Sequence, residues 1–327
     1  MTADAPLIAA RGVTVTYPHQ PLLAWASGRR PVQALRGVDL DVLTGEVLAL
    51  VGESGSGKST LARVMVRAIT ASTGSVAFQG TDITHLQGEA LRDIRRHFQV
   101  VFQDPFGSLN PRHSIGAAIA EPLIVHRIAR GAALRERVAE CLSMVGLDPT
   151  LAGRRPHEFS GGQRQRICIA RAIACQPRLV VADEALSALD PSLRDRMLDL
   201  FQDLRDRFAL TYLFISHDLG VVRRISDRVA VMYLGRVVEI GATGEVYGRP
   251  RHPYTQALMA AVPVPDPVAE RGRRYVSLPG EPPSPANPPA GCAFHPRCAR
   301  AIDRCRIEAP QLRPASPTHQ VACHLSD

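Results

Sequence analysis

A chain of 327 residues with 45% apolar content can bury one large or two medium cores. No basic-then-apolar leader opens it in MTADAPLIAARG and no run of about 18 uncharged apolar residues occurs, so the sequence is expected neither to carry a secretory signal nor to span a membrane. The formal charge of +8 specifies neither a nucleic-acid nor a membrane-proximal surface by itself, and seven cysteines without an export signal leave metal ligation or burial rather than a disulfide framework.

The first informative element is the apolar run Val47–Val51, which reads as a buried parallel strand, followed by a helix over residues 59–68. Between them LALVGESGSGKST fits the phosphate-binding template GxxxxGK[ST], with Gly52, Glu53, Ser54, Gly55, Ser56, Gly57, Lys58, Ser59 and Thr60 as candidate ligands. Glycines let backbone N–H groups turn inward around an anion, and the helix N-terminus adds its dipole. Lys58 is the single lysine; the other 38 basic residues are Arg. A coding bias toward Arg accounts for the 38 but not for the exception. A slim ammonium reaches β- and γ-phosphates inside a tight loop where a guanidinium fork demands wider, bidentate geometry.

Further along, residues 133–145 read as helix, and EFSGGQRQRICIARAIA places Ser160, Gly161, Gly162 and Gln163 at the start of another, with Ile167, Ile169, Ala170 and Ile173 at helical spacing. Ser at such a position is an ordinary N-cap, but Ser-Gly-Gly-Gln exceeds what a cap needs and offers free N–H groups to an anion. RLVVADE then forms a second buried strand ending in Asp183, placed to hold Mg²⁺, and Glu184, placed to orient or deprotonate an attacking water. TYLFISHD is a third, ending in His217, and RVAVMYLGRVVEIG supplies two more strands. From residue 253 to 289 proline is dense, so this stretch is expected to be extended and poorly suited to helix. Last comes the quartet Cys292, Cys298, Cys305 and Cys323, spaced C-x5-C-x6-C-x17-C, which fits neither structural zinc nor bacterial ferredoxin spacing; His295, His319 and His324 are alternative ligands. Cys141, Cys168 and Cys175 read as buried small apolar residues in helical segments.

With SGGQ between a phosphate loop and an acidic strand end, the sequence resembles the nucleotide-binding subunits of ABC transporters. That resemblance implies an α/β fold: a P-loop NTPase, RecA-like core with an antiparallel β-subdomain over residues 7–42 and a helical subdomain at about 104–170. A surface insert is expected at about residues 18–31. It implies ATP and Mg²⁺ as ligands, with Tyr17 stacking on adenine, Ser59, Gln103 and Asp183 toward the metal, Asp190 in the D-loop and His217 on the γ-phosphate. Glu184, His217 and Gln103 are then the catalytic set.

VFQDPFGSLNPR, RHPYTQALMAAVP, LPGEPPSP and the cysteine cluster resemble the oligopeptide/dipeptide and nickel importer branch, giving an ATP-binding domain over 1–248 and a C-terminal extension over 249–327. The implied partners are a second ATPase subunit, a homologous heterodimer partner, together with two permeases and an extracytoplasmic binding protein, at the cytoplasmic face of the cell membrane. The implied activity is ATP-driven import of di- or oligopeptides; nickel import, or a soluble non-transport ABC ATPase, is the alternative. In some relatives the four cysteines hold a [4Fe–4S] cluster, so a cluster, zinc and no metal all stay open. Two departures stand out: Ala185 and Leu186 where Pro and Thr or Val are common, and Phe159 for the usual Leu before SGGQ.

Overall fold

The computed structural model describes residues 5–18, 31–262 and 279–326. Most of the insert expected at 18–31, and residues 263–278 of the proline-dense stretch, lie outside the described residues. In chain order the elements are β1 (Ile8–Tyr17), β2 (Val32–Val42), β3 (Val47–Val51), α1 (Lys58–Met65), β4 (Thr73–Phe78), β5 (Thr81–Asp82), α2 (Gly88–Arg95) and β6 (Phe98–Val101). Then follow α3 (Pro105–Ser108), α4 (Ile115–Val125), α5 (Gly131–Met144), α6 (Gly161–Ile173), β7 (Leu179–Asp183), α7 (Pro191–Phe208) and β8 (Thr211–Ile215). The remainder comprises α8 (Leu219–Ile225), β9 (Arg228–Tyr233), β10 (Arg236–Ala242), α9 (Thr243–Gly248), α10 (Pro253–Ala260), α11 (Asp303–Ile307), β11 (Arg313–Ser316) and β12 (His319–Val321). They fall into two compact units, one from residues 42–47 and 85–216, the other from 6–41, 48–84 and 217 onward.

In the first unit β6, β7 and β8 run parallel, Phe98 opposite Leu179 and Leu179 opposite Thr211. Every residue of β8 is buried, as expected of a strand covered on both faces. Met197, Leu198, Phe201 and Leu204 recur along one face of α7 and are buried; the Phe201 ring meets Tyr212 and Phe214 edge-on at 5.4 and 5.9 Å. α4, α5 and α6 pack against one another. Cys141 and Cys168 are buried as expected, but Cys175 is half-buried in the turn after α6 rather than inside a helix.

In the second unit β1 pairs antiparallel with β4, Ile8 opposite Phe78, within the sheet β2-β1-β4-β5. β3 runs parallel to β9, Leu48 opposite Arg228, and β9 and β10 form a hairpin. Its turn puts Leu234 at φ 42° and Gly235 at φ 76°, the paired positive φ of a tight two-residue hairpin. β12 adds to the far edge of β10, Glu239 opposite Val321, so the tail of the chain extends the sheet that β3 begins.

Two further expectations are corrected. The helix after the phosphate loop spans Lys58–Met65 and stops short of residue 68, because Arg67 turns left-handed at φ 57° and the Ala68 N–H returns to the Arg63 carbonyl. The proline-dense stretch begins with α10, a helix rather than extended chain. Pro253 occupies its first turn, where a missing N–H costs nothing, and the buried His252 Nδ1 accepts from the Tyr254 N–H at 3.0 Å as cap.

Candidate nucleotide site

The phosphate loop belongs to the second unit. Gly52, Gly55 and Gly57 have φ of 144°, 77° and 103°, conformations that side chains rarely adopt. A Cβ on Gly52 would stand 2.2 Å from the Met232 carbonyl oxygen, and one on Gly57 would stand 2.6 Å from that of Ala34. Glycine is therefore required twice over, by conformation and by contact. Lys58 is buried, its Nζ donating to the carbonyls of Gly52 at 2.8 Å and Glu53 at 3.0 Å, so the ammonium is held along the inside of the loop. Ser56 Oγ is buried without a hydrogen-bond partner among the described residues. A cradle closed to side chains, an ammonium and an unsatisfied hydroxyl suit a phosphate chain. Ser59 and Thr60 lie in the first turn of α1.

Residues that motif reading did not name brace this loop. The Gly235 N–H donates to the Ser56 carbonyl at 2.8 Å, and the Glu53 N–H donates to the Tyr254 hydroxyl at 2.8 Å. The Glu53 carboxylate accepts three hydrogen bonds from the buried Arg297, at 2.9 to 3.2 Å. Tyr254 and Arg297 both come from the C-terminal extension, some 200 and 244 residues along the chain; no local pattern announces either. Tyr17 ends β1 and is 42% exposed, outside the core that a strand tyrosine often joins. His217 is exposed two residues beyond β8, just ahead of Asp218, which caps α8 through the Val221 N–H at 3.1 Å.

The remaining sequence candidates belong to the first unit. Asp183 ends β7, and Glu184 follows at φ 50°, its N–H tied to the Ile215 carbonyl at 3.0 Å. A non-glycine residue there stores about 1 kcal/mol or more of strain, characteristic of functional positions. Ala185 and Leu186, the departures noted above, are buried, so they pack beneath the turn. Ser160 caps α6 in a reciprocal box: its Oγ accepts from the Gln163 N–H at 3.3 Å, and Gln163 Oε1 accepts from the Ser160 N–H at 3.0 Å. A Cβ on Gly162 would meet Leu193 of α7 at 3.2 Å, whereas one on Gly161 would meet nothing within 4 Å. Gly162 thus serves helix packing, while Gly161 keeps an open approach to the helix start. Asp190 caps α7, accepting from the Leu193 N–H and Ser192 Oγ at 2.9 Å; these bonds hold its carboxyl below the ordinary range. Gln103 lies in the exposed loop after β6, beside Asp104, which caps α3. Arg171 of α6 donates to the Ser108 carbonyl at 2.6 Å, linking this loop to the SGGQ helix.

The four cysteines lie near one another: after burial, Cys305, Cys323 and Cys298 each add to the raised pKa of the Cys292 thiol. Cys292 and Cys298 pack against a buried cluster containing Tyr233, Tyr254 and Phe294, and burial pushes the Cys292 thiol up to about 11 and the Cys298 and Cys323 thiols upward. Among the described residues no group of three or more His, Cys, Asp or Glu side chains is arranged to hold a metal ion, so the cluster and zinc alternatives gain no support. The alternative histidines are otherwise engaged: His295 with the Cys292 carbonyl at 2.9 Å, His324 with the Glu308 carbonyl at 3.0 Å, and His319 with the buried Glu239 carboxylate at 2.7 Å. Glu239 also accepts from the N–H groups of Arg251 at 2.7 Å and His252 at 2.9 Å.

The family model described as ABC transporter matches residues 35–187, and the model for the oligopeptide/dipeptide transporter C-terminal region matches 238–305. The chain is 51% identical over 295 residues to the oligopeptide transport ATP-binding protein AppF of Bacillus subtilis (strain 168), covering 90% of both. It is 50% identical over 309 residues to the probable peptide ABC transporter ATP-binding protein y4tS of Sinorhizobium fredii, covering 94% of this chain and 87% of the relative. Among solved structures, the dimeric post-hydrolysis state of the ATP-binding cassette MJ0796 bound to ADP and Pi superimposes with a TM-score of 0.64 at 30% identity, covering 72% of this chain and 98% of that one.

Proposed function

We propose a working scheme from the premise that the chain belongs to the ABC transporter family, as the ATP-binding subunit of a peptide importer, and that it hydrolyses ATP to drive transport through membrane permease subunits. The observation that carries it is the phosphate loop, with Lys58 held inside a turn whose Gly52 and Gly57 positions admit no side chain. In this scheme residues 1–248 are the ATP-binding domain and 249–327 the importer-type extension.

Tyr17 stacks on adenine, while Lys58, Ser59, Thr60 and the N–H groups of Gly52 to Gly57 hold the phosphates. Ser59, Asp183 and Gln103 are the residues that would hold Mg²⁺, which when bound neutralises charge on the phosphates. Glu184 orients and deprotonates the attacking water, and His217 steadies the γ-phosphate. Ser160 to Gln163, with Gly161 open to approach, face the nucleotide of a second ATPase, and Asp190 attends that junction; ATP closes the pair and hydrolysis reopens it. The second ATPase is a homologous partner, and an extracytoplasmic binding protein delivers the peptide.

No helix among the described residues is long and apolar enough to cross a membrane. In this scheme the chain is a peripheral subunit that acts on the permeases from the cytoplasmic face. Phe102, Phe106, Ile124, Val125 and Ile128, between β6 and α5 in the chain, are exposed, and in this scheme they are candidates for an apolar footing on a permease. Arg164 steadies Phe106 from 4.1 Å above its ring. The names of the relatives favour peptide over nickel or a soluble role.

Steady-state ATPase of the assembled complex tests the scheme. Glu184→Gln is expected to bind ATP and to lose hydrolysis by about 10²-fold or more, the scale of a lost general base. Unchanged hydrolysis would sink the role given to Glu184.

A further inference from the structure

Glu53 is an anion inside a loop built to receive an anion. Its backbone carbonyl accepts from Lys58, its N–H is fixed by the Tyr254 hydroxyl, and its carboxylate is covered by the Arg297 fork through three hydrogen bonds. Arg297 is 6% exposed, and Tyr254 is buried in the cluster with Tyr233 and Phe294. Neither side chain is a stray surface partner. Each is set by the packing of the C-terminal extension, Tyr254 from α10 and Arg297 from the 3₁₀ turn His295–Arg297.

We propose that Arg297 and Tyr254 are positioning residues of the nucleotide loop, through which the C-terminal extension sets the affinity for ATP. The inference deepens the reading of the phosphate loop as an ATP site and rests on it. Two effects combine. The fork and the hydroxyl fix the peptide unit that carries one of the two Lys58 acceptors, so the ammonium starts from a single defined position. The guanidinium also cancels the Glu53 charge, which would otherwise repel the triphosphate across a partly buried, low-dielectric loop.

The test is equilibrium binding of a fluorescent ATP analogue with Mg²⁺ to the full-length chain, with thermal melting as a check on folding. Arg297→Met is expected to weaken binding about tenfold, the scale of one lost charge-assisted interaction. Arg297→Lys keeps the charge but not the fork and is expected to fall about threefold. Tyr254→Phe, which removes only the acceptor oxygen, is expected to fall by a similar factor of about three with its melting temperature little changed. Adding Glu53→Gln to Arg297→Met removes the uncovered anion and is expected to recover part of the lost affinity. A purely structural role for the pair predicts no such recovery. A folded Arg297→Met or Tyr254→Phe protein that binds as tightly as the unaltered chain overturns the proposal, and so does a double variant that binds no better than Arg297→Met. Should Arg297→Met not fold, Tyr254→Phe decides alone. No binding by the unaltered chain refutes the ATP reading itself, and this inference with it; that outcome is distinct from normal binding by the parent and unchanged variants.

Discussion

Truncating Phe294 to Ala tests whether the extension is welded to the nucleotide-binding unit. The ring is 2% exposed and meets Tyr233 edge-on at 5.3 Å, Tyr254 at 5.4 Å and His252 at 5.6 Å. Phe-to-Ala changes in such surroundings cost about 3–5 kcal/mol, the upper part reflecting lost ring pairs and a cavity that rigid neighbours do not fill. For a unit of this size each kcal/mol moves the melting temperature by about 2–4 °C, so a fall of between about 6 and 20 °C is expected. The assay is differential scanning calorimetry of the full chain, following the transition to which the tail belongs. Ile307→Ala is the control: that side chain, also in the extension, is 82% exposed, and its removal is expected to stay within about 0.5 kcal/mol. If Phe294→Ala melts no lower than Ile307→Ala, the aromatic cluster does not anchor the tail.

Two other predictions address acid stability and the signature helix. Burial lowers the His252 imidazole to about 3 while the unfolded chain keeps the ordinary value near 6.5. Below about pH 6.5 the unfolded state therefore binds a proton that the folded state refuses, and stability falls toward pH 3 with a limiting slope of about 1.4 kcal/mol per pH unit from this group. Above pH 6.5 the group contributes no slope. Urea midpoints between pH 7 and 5 should fall less steeply in His252→Asn, which keeps an acceptor for the Tyr254 N–H; an equal slope would show that another group governs acid unfolding. In α6, Gly161→Ala is expected to leave melting unchanged or slightly raised, since its Cβ enters open space and Ala is the better helix former. ATPase of the assembled complex is nevertheless expected to fall about tenfold or more if that space receives the partner's nucleotide. Full activity in the alanine variant would mean that Gly161 is not at the junction.

Much of this architecture was legible in the sequence because its signals are local. Val47–Val51 is a continuous apolar run and is a strand with those ends; Ser160 with Gln163 three residues later is a capping box and forms one. Motif spacing likewise singled out Lys58, whose ammonium the phosphate loop holds, and placed Asp183 at a strand end. What escaped notice depends on distant partners or on position within a turn. Proline density over residues 253–289 argued against helix, yet Pro253 sits where a helix tolerates it. The cysteine spacing matches no familiar metal pattern, and nothing local marks Arg297, beside Cys298, as the residue that hydrogen-bonds to the phosphate loop. Strands of four and three residues, β11 and β12, are too short to carry a readable period; β12 pairs with β10 and β11 with β12.

The 244-residue separation between Glu53 and Arg297 also sets a timetable. On the ribosome, at about 5–20 residues per second, the phosphate loop waits roughly 12–50 s for the arginine that braces it. Contacts of such long range are made late, after the loop-closure entropy has been met by other pairings. A nascent chain therefore carries Glu53 without its Arg297 cover over that interval, and full nucleotide affinity is expected only once the extension has packed against the loop.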